Sequence, residues 1–452
     1  MKINAILLAA GHGLRMNSEL PKVLIPVAGK PMLWHSLQAV AQVTTEKPVV
    51  VIGHQADLVR NFVHGQADCI LQEQQLGTGH AVQQAKNFLL GKTDLILVTY
   101  ADMPLLSSET LEKLVETQIA NEGPISLLTI ISDDPRGFGR ILRKEDGYVQ
   151  AIVEEAVATP DQLQIKELNV GAYCFNANWL WRALDKVRVS PKGEFFLTDT
   201  ISIAVQNGLT VKPVVLSDLN ETIGVNTRIH LSEAESAMRD RINRMHMLAG
   251  VTLIDPGTTY IDAGISIGKD STIWPNTFLR GNTQVGRNSE IGPGAIITDT
   301  KIGDRCKILL SVLEGSILEE DVDMGPYAHL RKGTHLGSGV HMGNFGEVKD
   351  STLGEGTKMG HFSYIGNANI GSNVNIGAGT ITCNYDGENK HETQIEDDAF
   401  IGSDTMLVAP LKVGKRSRTG AGAVVTKDVQ DDTLVVGMPA RAIHKLEKKK
   451  NE

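Results

Sequence analysis

Apolar residues in the first half of the chain come as short runs divided by stretches of helical period. Ala5–Ala10, Pro48–Gly53 and Leu95–Tyr100 are apolar runs of strand length, and Pro31–Gln42 and His80–Leu89 are amphipathic. Such alternation predicts an α/β domain over residues 1–226 on a mixed, mostly parallel sheet, with ligands at the carboxyl ends of the strands. Over residues 227–250 the period changes. Leu231, Ala234, Met238, Ile242, Met245 and Ala249 recur at helical spacing with charges between them, and Gly250 is placed to stop a linker helix.

Residues 251–452 carry a different rhythm. Ile267, Ile273, Leu279, Val285, Ile291 and Ile297 stand six apart, and Ile302 and Ile308 resume after a one-residue slip. The spacing returns in Leu336, Met342 and Val348, in Leu353, Met359 and Ile365, in Ile370 and Ile376, and in Ile395, Ile401, Leu407 and Val413; Thr419 replaces one aliphatic before Val425. Neither a helix nor an alternating strand has a period of six. A coil of three short flat faces does, each face sending one aliphatic inward, so a parallel β-helix of hexapeptide repeats is expected. The polar run 377–394, GAGTITCNYDGENKHETQ, interrupts the repeat and should project as a functional loop. The flat flanks of such a solenoid suit symmetric self-association.

Composition narrows the picture. A length of 452 residues calls for more than one domain, and 45 glycines with only 5% aromatics fit a segment of turns and thin strands. A net charge of −9 argues against a nucleic-acid partner but not against a small anion held by local cations. Cys69, Cys174, Cys306 and Cys383 form no CxxC pair, which argues against a disulfide framework or zinc site. The opening MKINAILLAAG is too short for a signal or a membrane span and reads as a buried strand, so a cytoplasmic location and no membrane partner are expected. The Lys-rich tail after Lys445 reads as a solvated, flexible end.

The candidate chemistry begins where the first strand ends. Leu8, Ala9, Ala10 and Gly11 run into Arg15 and Lys22, offering backbone N–H groups and two cations to a phosphate. The string LAAGHGLRM…PKVLIPVAGKPM resembles the signature of nucleoside-diphosphate-sugar pyrophosphorylases, with Leu14 where that family usually has Thr. The resemblance implies a Rossmann-like nucleotidyltransferase fold. It assigns Gln72, Gly77 and Thr78 of QEQQLGTGH to uracil recognition, and Asp102 of YADMP, with Ala101 in place of Gly, to Mg²⁺. Gly139 of GFGR, Glu154 of IVEE and Asn169 of ELNVG match its sugar positions, and Asn226 of IGVN a sugar and second metal position. Transfer between two polyanions needs cations more than a base, and the residue types suit that need.

In the solenoid, His361 of MGHFSY has the side chain suited to taking a proton from an attacking amine. Arg331, Glu347, Lys349, Tyr364, Asn375 and Lys390 recur at coil-sized offsets from it, and Glu347 is placed to orient the imidazole. GPYAHLR, GNFGEVK, GHFSYIGNANIGSNVNIGAGTITCNYDGENK and IGSDTMLVAP closely resemble the bacterial bifunctional N-acetylglucosamine-1-phosphate uridylyltransferase/glucosamine-1-phosphate acetyltransferase family. That resemblance implies a left-handed β-helix, a homotrimer with active sites shared between subunits, and UTP, acetyl-CoA, glucosamine 1-phosphate and N-acetylglucosamine 1-phosphate as substrates. Carried over by position, Arg331, Lys349, Tyr364, Asn375 and Lys390 would bind glucosamine 1-phosphate. Ala378, Asn384, Tyr385, Ser403, Ala421 and Arg441 would meet acetyl-CoA, with His391 and Glu392 departing from the family's usual pair. Two other readings stand beside this one: a sugar-1-phosphate nucleotidylyltransferase with a non-acetylating, trimerising β-helix, and a non-enzymatic regulatory subunit. The intact His361, NYDG and Lys390 set speaks against the first, and the Gly-rich loop with Asp102 against the second.

Overall fold

A computed structural model describes residues 1–145, 147–191 and 193–445. The Lys-rich tail after Lys445 lies outside the described residues. The chain divides into two compact units, Met1–Met238 and Arg239–Glu452.

The first unit is built on one mixed sheet. Its strands are β1 (Ile3–Ala9), β2 (Val49–Ile52), β3 (Asp68–Leu71), β4 (Leu95–Tyr100), β5 (Ile125–Ile131), β6 (Arg140–Arg143), β7 (Val149–Val153), β8 (Glu167–Asn176) and β9 (Val211–Leu216). The order across the sheet is β9-β5-β8-β4-β1-β2-β3, with β6 and β7 extending from β8. β4, β1, β2 and β3 run parallel, as do β9 and β5, while β8 lies antiparallel to both β4 and β5. Side chains on both faces are buried, which is why β1, β2 and β4 read as continuous apolar runs instead of alternating ones. Helices α1 (Met32–Ala41), α2 (Thr78–Gln84) and α3 (Ser108–Ile119) connect these strands. The Ser107 hydroxyl caps α3 by accepting from Thr110 N–H.

The predicted connecting helix, α4, spans Arg228–Leu248. Its buried face differs from the one the period suggests. Ala234, Met238 and Ile242 are buried as expected, but Met245 is exposed, and Asn243 and His246 are buried instead. The reason is polar: Asn243 Nδ2 donates to the carbonyls of Pro256 and Thr259 at 2.9 and 3.1 Å, tying the helix to the first coil of its own unit. Burial pushes the His246 imidazole below its ordinary pKa.

The second unit stacks two- to five-residue parallel strands into three faces, closed by an antiparallel hairpin of Thr433–Gly437 and Ala440–Lys445. The first face begins at Thr252–Leu253, the second at Tyr260–Ile261 and the third at Ser266–Ile267. Six-spaced aliphatics fall on successive faces and stack one above another. On the first face Ile273, Ile291, Ile308, Met324, Met342, Met359, Ile376 and Ile401 form one buried column. Thr419 tolerates the interior because its hydroxyl accepts from Gly402 N–H and pairs with the Thr405 hydroxyl, both at 2.9 Å. The interruption at 377–394 is shorter than the pattern suggests. Ile381–Cys383 continues the second face with Thr382 pointing inward to take Gly366 N–H, and the following coil spans the twenty-five residues from Ile370 to its partner Ile395. Only about 384–392 projects.

Candidate functional site

In the first unit a cavity of about 400 Å³ opens among the carboxyl ends of β1 and β4 and the start of α2. Leu8, Ala9, Ala10, Gly11, Lys22, Gln72, Gly77, Thr78, Asp102 and Glu154 all line it. The Lys22 ammonium hydrogen-bonds both the Asp102 carboxylate and Asn226 Oδ1, the latter at 3.1 Å. Asn226 is thereby brought to the same point as Asp102. Gly139 lies beside Glu154, since a Cβ added to it would sit 3.6 Å from Glu154 Oε2, and its carbonyl accepts from Asn169 N–H at 2.9 Å. Arg15 is the outlier: it is exposed on the turn Leu14–Met16 and does not line the cavity. Leu14 beside it is 85% exposed, so its side chain supplies no contact here. Ala101 is fully buried in the core.

Several lining groups carry no period or motif of their own. Glu194 and Phe196 line the cavity from a distant stretch of chain, and that stretch clamps the loop Gln72–Thr78. Gly79 N–H donates to Phe195 carbonyl at 2.8 Å and Leu197 N–H to the Thr78 hydroxyl at 3.0 Å. Gly77 must be glycine: its φ is +99° and a Cβ would lie 2.6 Å from Phe195 carbonyl oxygen. Gln72 is held by its own amide, which reaches Gly77 carbonyl at 3.2 Å and His80 at 3.0 Å. Burial raises the Glu154 carboxyl, partly offset by the Thr198 hydroxyl donating to it at 2.9 Å, with Asp199 and Glu194 raising it further. Tyr100, also lining the cavity, is raised by burial and by the charges of Glu154 and Asp102, while Thr78 hydrogen-bonds it.

The second unit distributes its candidates differently. His361 is exposed at the corner between the first and second faces. The same corner carries Ala378, Ser403 and Ala421 on successive coils. Gly379 N–H donates to Phe362 carbonyl at 2.7 Å, Asp404 N–H to Ala378 at 2.6 Å, and Gly422 N–H to Ser403 at 2.8 Å. Arg331 and Lys349 are at the far edge of the second face, in register with each other and with Gly366. Lys390, hydrogen-bonded beside Lys349, and then Arg331 push the Lys349 ammonium below its ordinary pKa. Glu347 at 3.1 Å from Arg331 and Asp350 at 3.8 Å from Lys349 offset part of this crowding of positive charge. Tyr364 stands on the same face, and a Cβ at Gly366 would lie 2.4 Å from its hydroxyl. Asn375 lies on the first face and Arg441 is exposed on the closing hairpin.

The projecting loop is tied to itself. Asn384 Nδ2 donates to Asn367 Oδ1 at 2.7 Å, and Tyr385 bridges to Lys390. The Asp386 carboxylate accepts from Asn389 N–H, His391 Nε2 and Glu388 N–H, which together hold it far below the usual carboxylate range. His391 is thus an internal latch of the loop. Glu347 bonds Arg331 at 3.1 Å, so within one chain its carboxylate serves the cation cluster and not the His361 ring. His361 and the cation cluster stand at opposite edges of one face. Five steps from 361 to 366 at ~3.3 Å each put the edges roughly 16 Å apart.

Comparison with known proteins agrees with this division. The MobA-like NTP transferase domain family matches residues 5–138. The bacterial transferase hexapeptide (six repeats) matches residues 264–299, and the hexapeptide repeat of succinyl-transferase matches 392–427. The bifunctional protein GlmU of Streptococcus thermophilus is 46% identical over 434 residues, covering 96% of this chain and 94% of the relative. The GlmU proteins of Heliobacterium modesticaldum and of a Geobacillus strain are 45% and 44% identical, covering 96% and 98% of this chain and 95% and 97% of their own lengths. With a nucleotidyltransferase-type cavity in one unit, a hexapeptide solenoid in the other and relatives that match nearly end to end, the chain belongs to the family of GlmU bifunctional proteins.

Proposed function

We infer that this chain makes UDP-N-acetylglucosamine in two steps: it acetylates glucosamine 1-phosphate with acetyl-CoA in the second unit, then transfers uridylyl from UTP to N-acetylglucosamine 1-phosphate in the first, releasing pyrophosphate. The observation that carries the first-unit reading is the convergence of Gly11, Lys22, Gln72, Gly77, Thr78 and Asp102 on one cavity. The amide of Gln72 and the backbone at Gly77–Thr78 supply paired donors and acceptors for a base edge. The strand end Leu8–Gly11 and Lys22 hold the triphosphate, with Arg15 closing on it from the exposed turn. Gly139, Glu154 and Asn169 hold the sugar, whose phosphate oxygen attacks the α-phosphorus in line.

Asp102 and Asn226 aim two oxygens at one positive charge, now the Lys22 ammonium. Two such oxygens suit Mg²⁺, which takes few protein ligands and keeps its waters. No group of three or more acidic, His or Cys side chains able to hold a metal occurs among the described residues, so these two would share the ion with phosphate oxygens. Asp102 and Asn226 would hold such an ion, which would supply neutralisation of charge on the reacting phosphates, with Lys22 beside them to bind a phosphate oxygen.

In the second unit Arg331, Lys349 and Lys390 take the sugar phosphate, with Tyr364 and Asn375 beside the ring. His361 takes the proton from the attacking amine. Ala378, Ser403 and Ala421 rise from His361 as a column of small residues along which the pantetheine arm of acetyl-CoA lies, with Asn384 and Tyr385 at the thioester and Arg441 at the phosphates. His361 and the cations stand too far apart on one chain to serve one substrate, and Asn375 faces another way. This argues for a homotrimer whose neighbouring copies complete each site. No helix among the described residues is long and apolar enough to cross a membrane, and the substrates are those of a cytoplasmic enzyme. The test is product analysis from UTP, acetyl-CoA and glucosamine 1-phosphate with each omitted in turn. Thiol release should need only the last two, and pyrophosphate release all three. Thiol release absent at high substrate would leave the nucleotidylyltransferase with a non-acetylating solenoid as the correct reading.

A further inference from the structure

A buried irregularity in β8 lies directly behind the sugar end of the first cavity. Between Asn169 and Tyr173 the pairing with β5 slips: Asn169 stands opposite Thr129 but Tyr173 opposite Leu127, so four steps on one strand answer two on the other. Residues four apart on a regular strand are about 13 Å apart, whereas two steps of the partner cover only about 7 Å. The bulge therefore draws two side chains together that a flat strand would hold apart. Asn169 Nδ2 donates to the Tyr173 hydroxyl at 2.7 Å, and Asn169 Oδ1 accepts from Gly171 N–H at 3.2 Å. Both ends of the amide are engaged, so it cannot flip without losing both bonds. Tyr173 is 1% exposed and Asn169 7% exposed, so neither bond competes with bulk water.

Gly171 makes the bulge possible. Its φ is +89°, a conformation that side-chain-bearing residues rarely adopt, and a Cβ there would lie 2.5 Å from Tyr100 Cε2. The Tyr100 ring occupies that space, and Thr78 of the base-binding loop hydrogen-bonds it. Tyr173 is packed in the core that includes Val98 and Leu127.

We propose that Tyr173 is a positioning residue for sugar selection, acting through Asn169, and that the Gly171 bulge is the device that lets it reach. The proposal rests on the reading of Asn169 as a sugar ligand and adds what aims it. With Tyr173→Phe the ring and its packing remain while one partner of the amide is lost. A hydrogen bond of ordinary net worth converts to about a three- to tenfold change. KM for N-acetylglucosamine 1-phosphate should rise by that factor, with KM for UTP and the acetyl-transfer rate close to those of the parent. Asn169→Ala should raise the same KM further, and adding Tyr173→Phe to it should have no additional effect. Gly171→Ala keeps both hydrogen-bonding side chains but drives into Tyr100, and should raise KM for both substrates.

The outcomes separate cleanly. If Asn169→Ala raises the sugar KM while Tyr173→Phe does not, or if the two effects multiply in the double variant, the positioning role is overturned and the sugar site stands. If Asn169→Ala leaves the sugar KM unchanged, the reading of the sugar site itself fails. Should Tyr173→Phe not fold, Gly171→Ala decides, since an unaltered sugar KM in a folded Gly171→Ala protein overturns the bulge's role.

Discussion

The two units solve the same problem, gathering polar side chains from distant parts of a chain, in opposite ways. In the first, Gly11, Thr78, Asp102, Glu154 and Asn226 come from five separate connections and meet beside the carboxyl ends of the parallel strands β1 and β4. In the second, the coils present side chains at a fixed rise along corners and faces, so His361 and Lys349 keep the separation their positions dictate. A layered sheet gathers distant loops into one cavity, whereas a straight prism sets its side chains out along its length.

The sharpest break of that comparison is to disable one site at a time. Asp102→Ala should lower pyrophosphate release by about 10²–10³-fold with acetyl transfer intact, and His361→Ala should lower acetyl transfer by about 10²–10⁴-fold with uridylyl transfer intact. Both rates measured on one preparation decide it; a folded variant that loses both refutes two independent sites. Dilution comes next. If the solenoid site needs a second copy, specific acetyl-transfer activity should fall at low protein concentration, while uridylyl transfer stays flat. Equal curves would mean that one chain completes both sites.

A smaller effect concerns the cation cluster. Lys390 and Arg331 push Lys349 down, and a bound phosphate would push it back up, so binding takes up a proton as the pH approaches the lowered value. KM for glucosamine 1-phosphate should therefore climb on the alkaline side. Lys390→Met should raise KM by about tenfold at neutral pH and also move that climb to higher pH, because Lys349 then recovers its ordinary affinity for a proton. A pH profile of unchanged shape would separate the two lysines. The smallest change is expected from His391→Ala. It unlatches Asp386 from one of its three donors and should raise KM for acetyl-CoA by about two- to threefold, as one lost hydrogen bond implies.

What the sequence disclosed follows the physics of each unit. The solenoid was legible because every coil repeats the same demand, an inward aliphatic each six residues, so the buried column from Ile273 to Ile401 stands in plain sight. Its exceptions were not, since Thr382 enters the interior with its hydroxyl oxygen accepting from Gly366 N–H. The phase of α4 was hidden for a like reason: Asn243 is buried by two carbonyls that no periodicity reveals. In the first unit the strand end Leu8–Gly11, the loop Gln72–Thr78 and Asp102, which line one cavity, could be read from local strings. The clamp from Phe195 to Gly77 and Gly79 could not, because it joins residues more than a hundred positions apart through backbone atoms. The bulge at Gly171 was also invisible, as ELNVGAYCFN reads as an unbroken strand.

The unequal coils of the solenoid have a further consequence. Ile291 pairs with Ile308, Ile308 with Met324 and Met324 with Met342, so successive turns consume seventeen, sixteen and eighteen residues while every rung stays aligned. The slack is taken at the corners. Such a frame forgives gains and losses of chain wherever it bends and nowhere else: a residue lost from the bend between Thr298 and Lys301 would be absorbed by a tighter corner, but one lost from within a rung would turn the column inside out. Over generations the corners can therefore lengthen into loops like 384–392, leaving the straight edges as a ruler against which new chemistry is measured.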